Sequence, residues 1–121
     1  MKFTLDNIDG QLVGIAELEG RLDARNSKPL QKTFLEWLEK TPLVVFDCSL
    51  LDFIDSSGLG AIVGCLRNAL EKEGDLRLAG LNEKVGMVFE LTQAKRLFSI
   101  FANRGEAASS FAAKPDSGTG R

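Results

Sequence analysis

The chain has 121 residues, 44% of them hydrophobic, and a formal net charge of -2, which fits one ordinary globular domain. It contains no histidine and two cysteines, so neither a Ser-His or Cys-His nucleophile system nor a zinc site of the usual ligands can be assembled. The small net charge does not favour a nucleic-acid partner, and no apolar run is long enough to span a membrane. The N-terminus lacks the apolar stretch of a signal peptide. We therefore expect a cytoplasmic protein without catalytic residues, metal or cofactor.

The first residues predict a β-hairpin. Residues 3–8 and 11–18 have the composition of two strands, and Asp9-Gly10 between them favours a two-residue turn with positive φ. Residues 20–23 then lead away from the second strand.

A helix is predicted next. Asn26 or Ser27 can cap it, and Pro29 lies in its first turn, where a missing N–H has no cost. Thr41-Pro42 ends the helix. Its apolar stripe is formed by four residues at helical spacing, namely Leu30, Phe34, Trp37 and Leu38.

The central stretch, residues 43–70, organises the rest of the chain. Residues 43–46 form a short β-branched run, typical of a strand buried on both faces. A helix begins near Asp55, and the junction of a strand end with a helix start is where open α/β sheets place their sites. Cys48 and Cys65 lie in apolar surroundings and are predicted to be core residues in a reducing compartment. The apolar stripe of the helix is predicted to consist of Leu59, Ile62, Val63, Leu66 and Leu70.

The last third of the chain predicts two further strand–helix units. After a break at residues 73–75, a strand is marked by Leu76, Leu78 and Leu81. Asn82 can cap a short helix, residues 97–101 predict a last strand, and residues 105–111 predict a last helix. Residues 113–121 have no periodicity and are predicted to be a disordered tail, which leaves residues 1–112 as the domain.

The element order β-β-α-β-α-β-α-β-α predicts an α/β fold. We expect a mixed sheet of four to five strands with helices packed mainly on one face. This arrangement places the turn at residues 55–60 on the carboxyl edge of the sheet.

The glycines of the central helix suggest a close approach by another surface. Gly58 and Gly60 lie in the first turn and Gly64 one turn later, and each costs about 1 kcal/mol relative to alanine in a helix interior. Gly60 and Gly64 lie beside the apolar stripe and form a bare strip. This strip can pack against another element of the same protein or admit a partner or ligand, and both interpretations stay open.

A phosphate on Ser56 would act as a switch. It would lie near free backbone N–H groups and the positive end of the helix dipole, so the fold would tolerate it. It would add about -1.5 to -2 charges next to Asp55, and near Asp52 and Asp23 in space. A like charge at ~4 Å costs about 4 kcal/mol at an effective dielectric of 20, enough to repel a docked partner. The simpler interpretation is that Asp and Ser at this position only cap the helix.

A family resemblance is carried by the run Phe53-Ile54-Asp55-Ser56-Ser57-Gly58-Leu59-Gly60. This run resembles the signature of the STAS domain family, the anti-sigma factor antagonists (anti-anti-sigma factors) of bacterial sporulation and stress partner-switching systems. Gly20-Arg21-Leu22-Asp23 resembles the family's G-x-L-D motif. The resemblance extends over about residues 3–112 and departs at Gln93-Ala94, where many members carry a glycine-containing turn.

The resemblance implies the STAS fold and a regulatory binding protein. Its partner would be an anti-sigma factor that is also a serine kinase of the GHKL type. The kinase would phosphorylate Ser56, with Ser57 as the alternative, the complex would dissociate, and a PP2C-type phosphatase would restore it. Ser57 would act mainly as a helix cap. The expected partner-binding residues are Asp23, Asp55, Ser56, Ser57, Gly58, Gly60, Gly64 and Arg67.

Other function classes fit the sequence less well. An accessory subunit of an ABC-type lipid transporter would dock the same helix constitutively on an ATPase, but it would not need a phosphorylatable hydroxyl at position 56. A nucleotide-binding module is less favoured because no Lys or Arg lies between Lys40 and Arg67. An enzyme is least favoured, since the chain resembles the substrate of a kinase.

Overall fold

A five-stranded sheet in the order β1-β2-β3-β4-β5 forms the centre of the computed structural model, which describes residues 1–112. The strands are β1 (Lys2–Ile8), β2 (Gln11–Leu22), β3 (Leu43–Ile54), β4 (Asp75–Ala79) and β5 (Ile100–Phe101). The helices are α1 (Ser27–Leu38), α2 (Ser56–Glu71), α3 (Glu83–Leu91) and α4 (Arg104–Ala112), with a 3-10 turn at Ala94–Leu97. β1 and β2 are antiparallel and the other pairs are parallel, which confirms the predicted mixed sheet. The predicted tail, residues 113–121, lies outside the described residues.

The hairpin turn forms where it was predicted. Asp9 and Gly10 have φ angles of 51° and 87°, as a two-residue turn of the I′ type requires. The pairing of Ile8 with Gln11 closes this turn and sets the register of β1 on β2.

The main core lies between the sheet and the helices α1, α2 and α3. Phe34 of α1 and Phe46 of β3 are both fully buried, and their rings meet edge to face with centroids 5.6 Å apart. Cys48 and Cys65 are buried in this core, as predicted, and burial raises the pKa of both thiols to about 12. Both are therefore protonated and inert near neutral pH.

A smaller core lies on the opposite face of the sheet, under α4. Ala107 and Ala108 of α4 pack there on Val13, Ile15, Val45 and Ala79. The predicted arrangement, with helices mainly on one face, is therefore confirmed, and α4 is the helix on the other face.

Several element boundaries differ from the predictions. The second and third strands were expected to end near residues 18 and 46, but they continue to Leu22 and Ile54. They do so because β2 and β3 keep pairing through two register shifts, although exposed residues interrupt the apolar pattern there. Leu81 lies beyond β4, after a turn at Gly80, whose φ is 72°. Residues 94–97 form a 3-10 turn, which shortens the predicted last strand to Ile100–Phe101.

Candidate functional site

The start of α2 is built by an aspartate cap. Asp55 has an extended backbone, with φ of -112°, and its Oδ1 accepts a hydrogen bond from the Gly58 N–H at 2.9 Å. Such a cap satisfies one of the N–H groups that have no partner inside the helix. The expectation that Ser57 serves as the cap is therefore wrong, because Asp55 occupies that position and accepts the bond.

Ser56 and Ser57 follow the cap as the first two residues of α2, and both are exposed. Within residues 1–112, neither hydroxyl takes part in a hydrogen bond with another group of the protein. The Ser56 hydroxyl is thus accessible from solvent, at the end of the helix that favours negative charge.

The end of β2 lies beside this turn. The Asp55 N–H donates to the Leu22 carbonyl at 3.3 Å, which places Asp23, the next residue, beside Asp55. Asp23 Oδ1 accepts a hydrogen bond from the Arg25 N–H at 3.0 Å, and Oδ2 lies 3.3 Å from Arg25 Nη2. The backbone N–H of Arg25, followed by its guanidinium, lowers the pKa of Asp23, which therefore stays negatively charged near neutral pH.

Asn26 supports the same loop instead of capping α1. Its Oδ1 accepts from the Asp23 N–H at 2.8 Å, and its Nδ2 donates to the Arg21 carbonyl at 2.6 Å. The predicted side-chain cap of α1 is therefore wrong at Asn26, although Asn26 stands at the cap position. Its side chain instead fixes the loop that carries Asp23.

The three glycines of α2 have three different surroundings. Gly58 is buried, and a Cβ there would overlap the Leu22 carbonyl oxygen. Gly58 therefore lets α2 pack on β2, and contact of this buried glycine with a partner stays a prediction. Gly64 is half-buried, and a Cβ there would overlap the Gln31 side chain of α1, which favours packing within the protein. Contact of Gly64 with a partner stays a prediction. Gly60 is exposed, and a Cβ added there would meet no other group within 4 Å.

One side of α2 carries a continuous exposed surface, which we call the docking face. With 3.6 residues per turn, its members all point within about 40° of the direction of Ser56. They are Ser56, Gly60, Val63, Arg67 and Leu70, all exposed except the half-buried Val63. Leu70, which is 54% exposed, was wrongly assigned to the apolar core stripe. Val63 packs partly against the main core, as predicted, and counting helical turns from Ser56 instead of from Leu59 would have placed Leu70 on this side.

A groove of about 480 Å³ adjoins the site between the end of β3 and α3. The guanidinium carbon of Arg21 lies 3.9 Å from the centroid of the Phe53 ring in its wall. Sequence reasoning did not find this groove, because its two walls are distant along the chain. Its lining residues are Arg21, Asp52, Phe53, Ile54, Lys84, Val85 and Val88.

The described residues offer neither a metal site nor a membrane-spanning helix. Residues 1–112 contain no group of three or more Cys, Asp or Glu side chains arranged to hold a metal ion. Among the helices of the same segment, none has the length and apolar character of a membrane span.

Known proteins resemble this chain in sequence and in fold. BtrV of Bordetella bronchiseptica, named as an anti-sigma factor antagonist, is 33% identical over 112 residues, which are 92% of this chain and 95% of BtrV. A crystal structure of an anti-sigma factor antagonist from Thermotoga maritima has a TM-score of 0.79 at 29% identity, covering 92% of this chain and 95% of that one. The structure of the anti-sigma factor antagonist SpoIIAA in its unphosphorylated form matches this chain with a TM-score of 0.74. The phosphorylated form of the Bacillus protein SpoIIAA matches it with a TM-score of 0.63. Both forms are 20% identical to this chain in sequence. The match to the unphosphorylated form covers 95% of this chain and 100% of SpoIIAA, and the match to the phosphorylated form covers 91% and 99%.

The family model described as STAS domain matches residues 4–107. The match includes the Asp55 cap, the two exposed serines and the docking face. The chain belongs to the STAS domain family.

Proposed function

We propose that this chain is an anti-sigma factor antagonist whose unphosphorylated form binds an anti-sigma factor with serine kinase activity of the GHKL type. The observation that carries the proposal is the exposed Ser56 hydroxyl, which has no hydrogen-bond partner in residues 1–112 and stands at the start of the docking face. The names of BtrV and of the Thermotoga relative support an anti-sigma factor as the partner.

The docking face suits a partner that binds and leaves. Val63 and Leu70 offer apolar contact, Gly60 allows close approach, and Arg67 can pair with a carboxylate of the partner. The exposed surface is mixed rather than strongly apolar, as expected for a non-obligate interface.

Phosphorylation would convert this face into a repulsive one. The Ser56 Oγ attacks the γ-phosphorus of ATP, the new Oγ–P bond replaces the bond to the β-phosphate oxygen, ADP leaves, and the hydroxyl proton is released. The phosphate adds about -1.5 to -2 charges beside Asp55 and Asp23. A PP2C-type phosphatase would return the hydroxyl by hydrolysis, and use of ATP places the cycle in the cytoplasm.

The fold has room for the modification. Ser56 is exposed, so a phosphate on it displaces no packed side chain, and the first turn of α2 offers N–H groups to it. SpoIIAA has been solved in an unphosphorylated and a phosphorylated form, and both match the fold of this chain, which supports a fold that persists when a phosphate is added.

The test is phosphopeptide mapping after incubation of the chain with ATP and the GHKL kinase encoded nearest to its gene. We expect a complex without ATP and a single phosphate on Ser56 with ATP, together with loss of the complex. A phosphate found on Ser57 alone would show that Ser57, and not Ser56, is the phosphorylation site. A complex that survives full phosphorylation would contradict the switch and favour constitutive docking, as in a transporter accessory subunit.

A further inference from the structure

β1 is an edge strand whose outer side is unpaired in the described part of the chain. It is seven residues long and pairs with β2 without a bulge from Lys2↔Glu17 to Ile8↔Gln11. The Phe3 ring stacks on Trp37 with centroids 4.8 Å apart, which holds the strand firmly on α1. Exposed edges are usually protected by proline, bulges, short length or charged side chains, and of these β1 has only the charged side chains.

The backbone groups of β1 alternate between the two sides. In a two-residue turn the closing residues, here Ile8 and Gln11, exchange hydrogen bonds, and bonded pairs then recur at every second residue. The even-numbered residues of β1 therefore bond to β2. The N–H and C=O groups of Phe3, Leu5 and Asn7 point outward and are available to another strand.

The side chains of β1 carry two opposite charges. Lys2 and Asp6 are exposed, and neither takes part in an ion pair within residues 1–112. Glu17, which faces Lys2 across the hairpin, is bound instead by Arg104, with Oε2 and Nη2 2.8 Å apart.

We propose that β1 pairs in antiparallel fashion with β1 of a second copy, about a two-fold axis at Thr4, and joins the two sheets into one. In this register Phe3 and the second copy's Leu5 exchange backbone hydrogen bonds, which matches the outward groups of both strands. Lys2 faces the second copy's Asp6, and the reverse pair forms by symmetry. Both charge pairs fall at non-hydrogen-bonded positions, where opposing side chains are closest.

The charges favour this register over its neighbours. A shift by two residues keeps the backbone hydrogen bonds, but Lys2 then no longer faces the second copy's Asp6. A shift by four residues places two residues of like charge opposite each other. Charges of one sign would keep two copies apart, whereas this pair of opposite charges, four residues apart, is self-complementary. Ser56 follows β3, and β2 lies between β3 and β1, so the inference does not depend on the proposed function.

Sedimentation equilibrium of the full chain over a concentration series tests the pairing. We expect a monomer–dimer equilibrium, and Asp6→Lys should raise its dissociation constant by about tenfold or more, because lysines then face each other. Lys95→Asp, an exposed charge reversal on the 3-10 turn beyond α3, is the matched control and should leave the constant unchanged. A wild-type chain that stays monomeric up to its solubility limit would overturn the proposal.

Mixing two variants tests the register itself. Lys2→Asp and Asp6→Lys should each dimerise poorly alone but pair with each other, because every facing pair in the mixed dimer is again opposite in charge. Failure of the mixture to recover dimerisation would overturn the register. As a second measurement, Thr4→Cys should form a disulfide-linked dimer with glutathione disulfide, whereas Lys95→Cys should not. The native cysteines are fully buried and should not react.

Discussion

Ser56 is the residue on which the proposed switch depends. Ser56→Asp should weaken binding to the cognate kinase by at least tenfold while the protein stays folded, because a negative charge then stands permanently on the docking face. Ser56→Ala should bind like the wild type but take no label from ATP. Calorimetry measures both affinities, and thermal unfolding checks the fold.

Ser57→Asp is the matched control for this charge. Ser57 is also exposed, but it points about 100° away from Ser56 around the helix. We expect a clearly smaller loss of affinity from Ser57→Asp. Equal losses would mean that the net charge of the turn matters and the position of the hydroxyl does not.

Asp55 is predicted to hold the site in shape. Asp55→Ala should lower the free energy of unfolding by about 1 kcal/mol, because the Gly58 N–H loses the side chain that caps it. Asp55→Asn should restore most of this stability, since an amide oxygen accepts the same bond. Urea unfolding of the three proteins measures the difference, and an equal loss in both variants would show that the charge stabilises the fold rather than the cap.

The helix α2 combines two opposite uses of glycine, which substitutions can separate. Gly60→Leu should abolish kinase binding through bulk, with a loss of stability under about 2 kcal/mol, because the position is open to solvent. Thermal unfolding and calorimetry give the two quantities. A collapsed thermal transition would show instead that Gly60 serves the core.

Gly58→Ala is the contrasting change. It should destabilise the protein by about 1–3 kcal/mol, because the added methyl meets the Leu22 carbonyl and the backbone must shift. The gain in helix propensity offsets only part of this cost. A fully stable Gly58→Ala protein would mean that α2 can move away from β2 without loss.

The sequence predicts the helices and strands better than the tertiary contacts between them. The hairpin, α1 and the start of α2 follow from turn residues and helical spacing, which are local properties. The ends of β2 and β3 depend on their mutual pairing, and the roles of Gly58 and Gly64 depend on Leu22 and Gln31, which are distant along the chain. The position of Ser56 at the start of α2 could be predicted because its motif is local, whereas the groove between β3 and α3 could not.

At the scale of the whole molecule, the proposed binding surface and the ion cluster that supports the fold lie on opposite faces of the sheet. The docking face belongs to α2, on the side of the main core, whereas α4 covers the other side. Arg104, at the start of α4, joins Glu17 of β2 to the buried Asp47 of β3, with Nε and Oδ2 of the second pair 2.8 Å apart. Changes at this ion cluster should therefore alter stability without altering kinase affinity.

Arg104→Met tests this separation. It should lower the free energy of unfolding by about 1–3 kcal/mol, because Asp47 keeps a buried charge whose ion pair is gone, although Arg104 is itself 43% exposed. Adding Asp47→Asn should recover part of the loss, since the neutral amide can remain buried at lower cost and its oxygen can still accept from the Ser49 N–H. Kinase affinity, measured at a temperature where both variants are folded, should match the wild type. A parallel loss of affinity would show that α4 and α2 are coupled through the sheet.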